Sequence, residues 1–407
     1  MWPRQSFDVP GAGPGPVPST VHVVSEVMKP GNSQTTSVVE QTPSGSAEFF
    51  DPDRHGDEDT APGVIDFAVN VRPGPPEFLV SALRDRIADL GRYPSAADLT
   101  AATSAVARLH GRDRSEVLLL GGAAEGFELL AKLAPKHVAL VQPSFTEPER
   151  VLRAAGARIS QVILTDPWSL ADVHVPDDAD MVVVGNPTNP TSVLHTRAHI
   201  DSLRRPGRTV VIDEAFADLT LDPVTGAHEP QSLAGERSDD LIVVRSITKT
   251  FALAGLRAGY LLASPAIIAR LSTGRRHWPL GTLALVALAV CAGDEGQAYA
   301  RAQSEAVAAH RAYLSTRLAE CGWPPAADAA ASYVLIRVPN ALQVKERLRH
   351  RGIGVRSCAN FVGLGPDHLR IAVRSPELTD VLVGALQDVM AENAPPFTRQ
   401  SRESEAT

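Results

Sequence analysis

The sequence predicts an α/β fold, in which a large, mostly parallel mixed sheet lies between helices and is joined to a smaller α+β domain. Three observations support this prediction. From residue 66 onward, short and strongly apolar segments alternate with helical patterns, most of them end in stretches rich in Gly, Pro, Ser, Asn or Asp, and long helices dominate after Pro279. Apolar segments of this kind are typical of strands that are buried on both faces of a sheet.

Five segments are predicted to be strands of the large sheet: residues 116–120, 137–141, 181–185, 209–213 and 241–246. The apolar segment 281–293 is shorter than the roughly 18 residues that a membrane span needs, so it is interpreted as a buried helix. The smaller domain is predicted from helices over residues 294–321, 342–350 and 377–393, and from strands over 332–338 and 369–373. Because ligands of open α/β sheets bind beyond the carboxyl ends of the strands, we expect the functional site there.

Composition suggests a two-domain body between two tails. Residues 1–60 and 395–407 are expected to be disordered, since they show no helical or strand periodicity,. We assign residues 61–92 to the smaller domain, 93–295 to the large domain and 296–394 to the C-terminal part of the smaller domain.

The charge balance and the cysteines exclude several classes of protein. The chain has 39 basic and 47 acidic side chains, a net charge of −8, and residues 1–60 hold nine of the acidic ones but three basic ones. The body is therefore near neutral, which argues against a broad nucleic-acid surface. No signal peptide or membrane span is predicted, so we expect no membrane association. The three widely spaced cysteines predict neither a disulfide framework nor a zinc site, which favours a cytoplasmic setting (Cys291, Cys321 and Cys358),.

The first candidate site is the turn at Gly121 and Gly122, which leads from a predicted strand into a helix that begins near Ala124. Small residues at a helix start let backbone N–H groups close around a phosphate. The turn lacks the third glycine of a dinucleotide fingerprint and the Lys-Ser/Thr pair of a nucleotide-triphosphate loop. A plain strand-to-helix turn is the alternative.

The second candidate is Lys249, which follows a very apolar strand and has Ser246 and Thr248 just before it and Arg257 eight residues later. A lysine in such surroundings can have the lowered pKa that Schiff-base formation requires. Two hydroxyls and a guanidinium can also bind one phosphate. A lysine on a surface loop is the alternative.

Polar residues also end two further strands, at Asn186 and Asp213. An aspartate in this position can cap a helix, ligate a metal or pair with a protonated ring nitrogen. No histidine is nearby in the sequence, so we expect no metal site.

Three arginines mark the C-terminal region: Arg337 and Arg370 on apolar strands, and Arg356 between them. A guanidinium among apolar neighbours needs an anion to offset its desolvation. A substrate carboxylate or phosphate would serve, and an internal salt bridge is the alternative.

Taken together, these motifs resemble the pyridoxal-phosphate enzymes of the class I/II aminotransferase superfamily (fold type I). Within it, they resemble the group of histidinol-phosphate aminotransferase and the cobalamin-pathway threonine-phosphate decarboxylase. The resemblance covers roughly residues 64–393 and implies that residues 93–295 bind pyridoxal phosphate, with Lys249 as the Schiff-base lysine. It also implies the remaining cofactor contacts: Ala123, Ala124, Ser246, Thr248 and Arg257 at the phosphate, Asp213 at the ring nitrogen, Asn186 at the ring hydroxyl and Phe145 on the ring face.

The same resemblance implies a homodimer with shared active sites, because Tyr93 matches a tyrosine that reaches the cofactor phosphate of the partner subunit. A half-buried turn aromatic is the alternative for Tyr93. The substrate is implied to be a small amino acid, and its implied binding residues are Asn70, Arg337, Arg356 and Arg370.

Three residues depart from the family pattern. Arg72 stands where the segment 66–76 usually has a second asparagine, and Phe216 replaces a tyrosine that bonds the ring hydroxyl in many members. Arg374 replaces the glycine that histidinol-phosphate aminotransferases have at this position. Phe216 and Arg374 are more typical of the cobalamin branch.

The leading functional prediction is an aminotransferase for a small anionic, possibly phosphorylated, amino acid. Nearly as well supported is decarboxylation of threonine phosphate for cobalamin biosynthesis. A catalytically silent, cofactor-binding scaffold is the alternative from another class, and the intact Lys249, Asp213 and Arg370 argue against it.

Overall fold

The computed structural model of the chain describes residues 37–39, 63–171 and 173–393. Its strands are β1 (Ser37–Val39), β2 (Ile65–Phe67), β3 (Val117–Leu120), β4 (His137–Gln142), β5 (Arg158–Ile163), β6 (Met181–Gly185), β7 (Thr209–Asp213), β8 (Leu241–Ser246), β9 (Gly259–Leu262), β10 (Tyr333–Arg337), β11 (Ile353–Ser357) and β12 (His368–Ala372). Its α-helices are α1 (Glu77–Arg84), α2 (Ala96–Leu109), α3 (Ala123–Leu130), α4 (Glu147–Ala154), α5 (Arg197–Asp201), α6 (Pro265–Ser272), α7 (Thr282–Cys291), α8 (Asp294–Glu320), α9 (Ala341–His350) and α10 (Pro376–Asn393).

The large sheet has the strand order β1-β5-β4-β6-β7-β8-β9-β3. Strands β5, β4, β6, β7 and β8 run parallel to one another, whereas β1 at one edge and β9 near the other run antiparallel to their neighbours. Along β7, Val210 and Ile212 join the apolar core on one face of the sheet, and Val211 joins the core on the other face. The sheet is therefore buried on both sides, and the predicted fold class is confirmed.

The five predicted strands of this sheet correspond to β3, β4, β6, β7 and β8, each within one residue of its predicted bounds. The predicted buried helix near residue 285 is α7. Strands β5, β9 and β11 were not predicted. Strand β5 interrupts its apolar residues with Ser160 and Gln161, both of which are buried, so its sequence lacks the continuous apolar run of its neighbours. Within the residues that the structure describes, no helix is long and apolar enough to cross a membrane.

The small domain has a four-stranded sheet of order β10-β12-β11-β2, and helices α8, α9 and α10 pack with it around one core. The N-terminal segment contributes β2, which pairs in parallel with β11. Beyond β2 the chain returns to the large domain, where Leu79 of α1 joins the large core. Helix α8 spans both domains, because Ala300 lies in the large core and Leu314 in the small one.

The N-terminal tail was expected to be disordered, but Ser37–Val39 forms strand β1 on the edge of the large sheet. Its residues pair antiparallel with β5, with Val38 opposite Val162. A strand in this position covers backbone groups that an exposed sheet edge would leave unpaired. The other residues of 1–60, and residues 395–407, lie outside the described part of the chain.

Candidate active site

The candidate site lies at the carboxyl ends of the parallel strands. Strand β7 ends at Asp213, in register with Gly185 at the end of β6, and β8 ends at Ser246, in register with Gly259. The backbone N–H of Asn186 donates to the carbonyl of Asp213 at 2.8 Å. The sheet register thus gathers residues that are far apart in the sequence.

Helix α3 begins beside the end of β8 because the backbones approach closely at Gly259. A Cβ there would lie 2.6 Å from the carbonyl oxygen of Arg245 and 3.2 Å from the nitrogen of Ala123, so only glycine fits. The first N–H groups of a helix have no partner within it, and the helix dipole favours an anion at this end. The contact therefore places an anion-binding helix terminus next to Ser246.

Arg257 lies over the same helix terminus. A Cβ on Gly122 would stand 2.8 Å from Nη2 of Arg257, and Gly122 has a positive φ of 92°. Two side chains with hydroxyls, Ser246 at the end of β8 and Thr248 just after it, are buried, and the Thr248 N–H donates to Ser246 Oγ at 3.2 Å. A cation, two hydroxyls and a helix N-terminus are the groups that bind a phosphate monoester.

Asp213 carries the most informative charge of the site. Burial raises the pKa of its carboxyl to about 6, against the opposing effects of a hydrogen bond from the Ala215 N–H and of the nearby Lys249 charge. The Ala215 bond measures 3.0 Å to Oδ1. Because burial disfavours the carboxylate, a cationic group of a ligand placed here would be strongly stabilised.

A row of aromatic rings links the lysine to an arginine of the small domain. Lys249 Nζ lies 5.7 Å from the ring centroid of Phe216. Phe216 meets Tyr333 edge to face, with centroids 5.0 Å apart. Arg370 lies over the other ring, its Cζ 5.4 Å from the Tyr333 centroid. The Tyr333 hydroxyl donates to the carbonyl of Thr188 at 3.0 Å, which fixes the row to the large domain.

Two buried arginines face this row from neighbouring strands. Arg356 of β11 and Arg370 of β12 are direct cross-strand partners, and both are buried. Arg370 donates to the carbonyl of Ala68 at 2.8 Å and to Oδ1 of Asn189 at 2.5 Å, and Arg356 donates to Oδ1 of Asn360 at 3.1 Å. Like charges opposite each other in a sheet repel, so an anion between these guanidinium groups would stabilise the pair.

Residues 62–386 match the family model of aminotransferase class I and II. The chain belongs to this family. Over 335 residues it is 52% identical to a histidinol-phosphate aminotransferase of Mycobacterium tuberculosis (strain ATCC 25618 / H37Rv), covering 82% of this chain and 90% of that one. It is 31% identical over 346 residues to the threonine-phosphate decarboxylase of Salmonella typhimurium, covering 82% and 93% of the two chains. The crystal structure of the histidinol-phosphate aminotransferase from Clostridium acetobutylicum superimposes with a TM-score of 0.73 at 25% identity, over 81% of this chain and all of that one.

Membership in this aminotransferase family confirms pyridoxal phosphate as the cofactor of the enzyme,. The geometry fits the molecule at both of its charged ends. The α3 terminus with Ser246 and Arg257 suits the phosphate, and the desolvated carboxyl of Asp213 suits a protonated pyridine nitrogen. The charge of Lys249 acts on the Asp213 carboxyl, so an amine lies in the same part of the site.

Asn186, predicted to bond the cofactor's ring hydroxyl, makes two hydrogen bonds within its own loop. Its Oδ1 accepts the His195 N–H at 2.8 Å, and its Nδ2 donates to the His195 carbonyl at 3.2 Å, so its carboxamide holds its own loop together. Asn189, three residues later, reaches Arg370 instead. The sequence contains Asn-Pro-Thr twice in succession, at residues 186–188 and 189–191, and the predicted site residue belongs to the first copy.

Asn70 lies beside the buried pair of Arg356 and Arg370, whereas Arg337 does not. With its carboxamide oxygen turned toward Arg370, Asn70 accepts from Nε at 3.2 Å and from Nη1 at 3.3 Å. Arg337 is exposed at the last position of β10, four residues from Tyr333 and opposite His368. The prediction for Arg337 assumed a buried side chain, but the first four residues of β10 are buried and Arg337, the fifth, is exposed.

Other predicted residues lie around the edge of the site. Phe145 follows β4 and is half-buried, its ring centroid 6.4 Å from that of Phe127. Tyr93 is 76% exposed and stacks on Trp278 with centroids 4.3 Å apart. Arg72 turns away from the arginine pair and donates to Oε1 of Gln303 on α8 at 2.9 Å.

Proposed function

We propose that this aminotransferase transfers the amino group of a small amino acid that carries a second anionic group, such as a phosphate. The observation that carries the proposal is the buried cross-strand pair of Arg356 and Arg370. One guanidinium is enough to hold an α-carboxylate, and a second one beside it suits a substrate with two anionic ends. The Mycobacterium tuberculosis relative, named a histidinol-phosphate aminotransferase, supports a phosphate group at these arginines, because histidinol phosphate carries a phosphate in place of an α-carboxylate.

The residues around the cofactor have distinct tasks. Pyridoxal phosphate, when bound, withdraws electrons from the substrate's α-carbon. Asp213 keeps the proton on the ring nitrogen, because its carboxylate is stabilised by that positive charge. Lys249 would hold the cofactor through its amine, and once released, that amine would act as the general base and acid that moves the proton of the substrate's α-carbon.

Asn189 orients the substrate and the cofactor together in this proposal. Its Oδ1 accepts from Arg370, which leaves its amide N–H groups as donors for the cofactor's ring hydroxyl,. Asn70 accepts from Nε and Nη1 of the same guanidinium, and the carbonyl of Ala68 accepts from its Nη2. Phe216 has no hydroxyl, so the ring hydroxyl would be bonded by Asn189 without help from residue 216.

The test is amino-group transfer to 2-oxoglutarate from a panel that contains histidinol phosphate, O-phosphothreonine and their unphosphorylated forms. We expect turnover of a phosphorylated member, with KM at least about 10-fold lower than for its unphosphorylated form, since one charged contact is lost without the phosphate. Lys249→Ala should abolish both turnover and the visible absorbance of the bound cofactor. A wild-type protein that binds the cofactor but turns over nothing would instead identify a silent scaffold.

A second candidate reaction is decarboxylation of threonine phosphate, which would supply aminopropanol phosphate for cobalamin. It is favoured by Phe216 and Arg374, which depart from the histidinol-phosphate aminotransferase pattern, and by the similarity to the Salmonella typhimurium threonine-phosphate decarboxylase. Incubation with O-phosphothreonine separates the two reactions. Release of carbon dioxide without a 2-oxo acid identifies the decarboxylase, and keto product that depends on the 2-oxo acid identifies the aminotransferase.

We also propose that two copies of the chain form a dimer with shared sites. Several large apolar side chains are exposed near the phosphate end of the site: Ile87, Leu90, Tyr93 and Trp278. Such a patch is typical of a protein interface. Mixing inactive Lys249→Ala with a Tyr93→Ala variant tests sharing, because a mixed dimer regains one intact site if Tyr93 of the partner subunit completes it. No regained activity in a mixture shown to contain mixed dimers would contradict shared sites.

A further inference from the structure

Arg374, which follows β12, is a buried arginine that the proposed function does not use. All three of its guanidinium nitrogens donate to backbone carbonyls. Nε bonds Asp66 at 2.7 Å, Nη2 bonds Val69 at 2.7 Å, and Nη1 bonds Val373 at 3.1 Å. The side chain therefore joins the end of β12 to a short segment, called here the loop 66–70, that begins within β2 and continues after it.

The loop in question, residues 66–70, is further closed by its own aspartate. Asp66 Oδ1 accepts the N–H groups of Ala68 at 2.8 Å and Val69 at 2.9 Å, and Asp66 Oδ2 lies 3.7 Å from Nη2 of Arg374. A rigid, planar guanidinium can span two carbonyls at once, which a single ammonium group cannot do with the same geometry. Arg374 thus fixes the conformation of this loop.

The loop in turn holds the arginine that binds the substrate. The carbonyl of Ala68 accepts from Arg370 Nη2 at 2.8 Å, and the carboxamide of Asn70 lies against Nε and Nη1 of the same guanidinium. Two loop residues therefore fix the direction in which Arg370 presents its charge. These two residues connect Arg374 to Arg370.

We propose that Arg374 is a positioning residue for anionic substrates: by holding the loop 66–70, it sets the orientation of Arg370 without touching the substrate. The proposal rests on the proposed function, in which Arg370 binds a substrate anion. It differs from the reading of Arg374 as a third cation for the substrate, because its nitrogens are committed to carbonyls. Substrate affinity then depends on a residue outside the contact shell of the substrate.

The experiment compares holoenzyme with Arg374→Ala, Arg374→Lys and a matched control, Arg208→Ala. Arg208 is similarly buried and also donates to three backbone carbonyls, those of Pro176, Ala179 and Leu203, but it directly precedes β7 and so lies at the opposite end of that strand from the candidate site. We measure KM and kcat, the calorimetric Kd for O-phosphothreonine, and hydrogen exchange of the peptide that contains residues 64–72.

Both Arg374 variants are expected to raise KM and Kd by about 10-fold, the loss of roughly one charged hydrogen bond, while kcat changes by less than about threefold. Hydrogen exchange at residues 64–72 should accelerate, because Asp66, which accepts the N–H groups of Ala68 and Val69, is no longer held in place by Arg374,. Arg208→Ala should change none of these quantities, although it lowers overall stability.

Full recovery of affinity in Arg374→Lys would overturn the proposal, since charge alone would then suffice. Faster exchange with unchanged affinity would also overturn it, because the loop would not position Arg370. An equal loss of affinity in Arg208→Ala would assign the effect to general destabilisation. A wild-type enzyme that turns over no amino acid would refute the proposed function, whereas the calorimetric Kd and the exchange rates would still decide this proposal.

Discussion

Replacing Asp213 by asparagine is expected to stabilise the cofactor-free protein and to inactivate the holoenzyme. Burial raises the pKa of the Asp213 carboxyl from 3.8 to about 6. At about 1.4 kcal/mol per pKa unit, the ionised carboxylate destabilises the cofactor-free fold by about 3 kcal/mol. Asparagine has nearly the same shape, carries no charge and keeps an oxygen for the Ala215 N–H, which bonds Oδ1 at 3.0 Å.

The pH dependence of this effect has a definite sign. A carboxyl whose pKa is raised by folding binds its proton more tightly in the native state, so its contribution to stability falls as pH rises from about 4 to about 6 and is constant above. The Asp213→Asn variant lacks this fall. Its advantage in unfolding free energy should therefore be small near pH ~4 and approach about 3 kcal/mol above pH ~7.

Urea unfolding of the cofactor-stripped proteins, followed by circular dichroism between pH ~5 and ~8, measures the difference. Asp222→Asn is a control for which we expect a loss of stability, because hydrogen bonds from the Thr225 and Val224 N–H groups stabilise the Asp222 carboxylate and lower its pKa. In the holoenzyme, loss of the charge partner of the ring nitrogen should reduce kcat by about 100-fold. A variant less stable than wild type at pH ~8, or a difference that does not change with pH, would refute the reasoning.

Three further predictions concern neighbouring side chains. Asn189→Ala should raise KM for the anionic substrate by about 10-fold, as measured by steady-state kinetics. Asn186→Ala should instead lower the unfolding free energy by about 1–3 kcal/mol in a urea titration, because it leaves the buried His195 N–H without its acceptor,. The opposite pattern, with the affinity loss in Asn186→Ala and the stability loss in Asn189→Ala, would contradict this. Arg356→Ala should raise KM by at least about 10-fold, with the exposed Arg337→Ala as a matched control that leaves KM within about twofold. Arg245→Met should lower the unfolding free energy by about 3–5 kcal/mol, because it removes the counter-ion of three carboxylates that surround the Arg245 guanidinium, and unchanged urea stability would be inconsistent with that (Glu214, Asp218 and Glu229),.

The cofactor half of the site could be predicted from the sequence because its residues lie at the ends of strands that the apolar sequence pattern identifies. Asp213 and Ser246 end strands that contain apolar runs, residues 210–212 and 241–244, and parallel strands place their carboxyl ends at one edge,. Lys249 follows three residues after the end of β8. Local sequence therefore determines both the strand and the position of the polar residue after it.

The substrate half could not be predicted in the same way, because it depends on register between short strands. The pairing of Arg356 with Arg370 requires β11, whose sequence begins Ile-Gly-Val and carries no distinct strand pattern. Choosing Asn189 over Asn186 requires knowing which amide is already used by its own loop. Arg337 follows the apolar residues of β10 in the sequence, as a buried strand residue would, but it is the last residue of the strand and its side chain is exposed.

The division of the site between two domains bears on the choice between amino-group transfer and decarboxylation. Lys249 and Asp213 belong to the large domain, whereas Arg356 and Arg370 belong to the small one. The reacting bond at the α-carbon must stand perpendicular to the cofactor ring for its electrons to delocalise. If Arg356 and Arg370 bind the substrate's anionic groups, as proposed, their position relative to the ring selects that bond. The loop after β6 ties the domains together, since Ser192 Oγ accepts the Ala331 N–H at 2.8 Å. On this proposal, we expect substitutions around Arg370 to change the ratio of the two reactions more than they change the reactivity of Lys249 or Asp213.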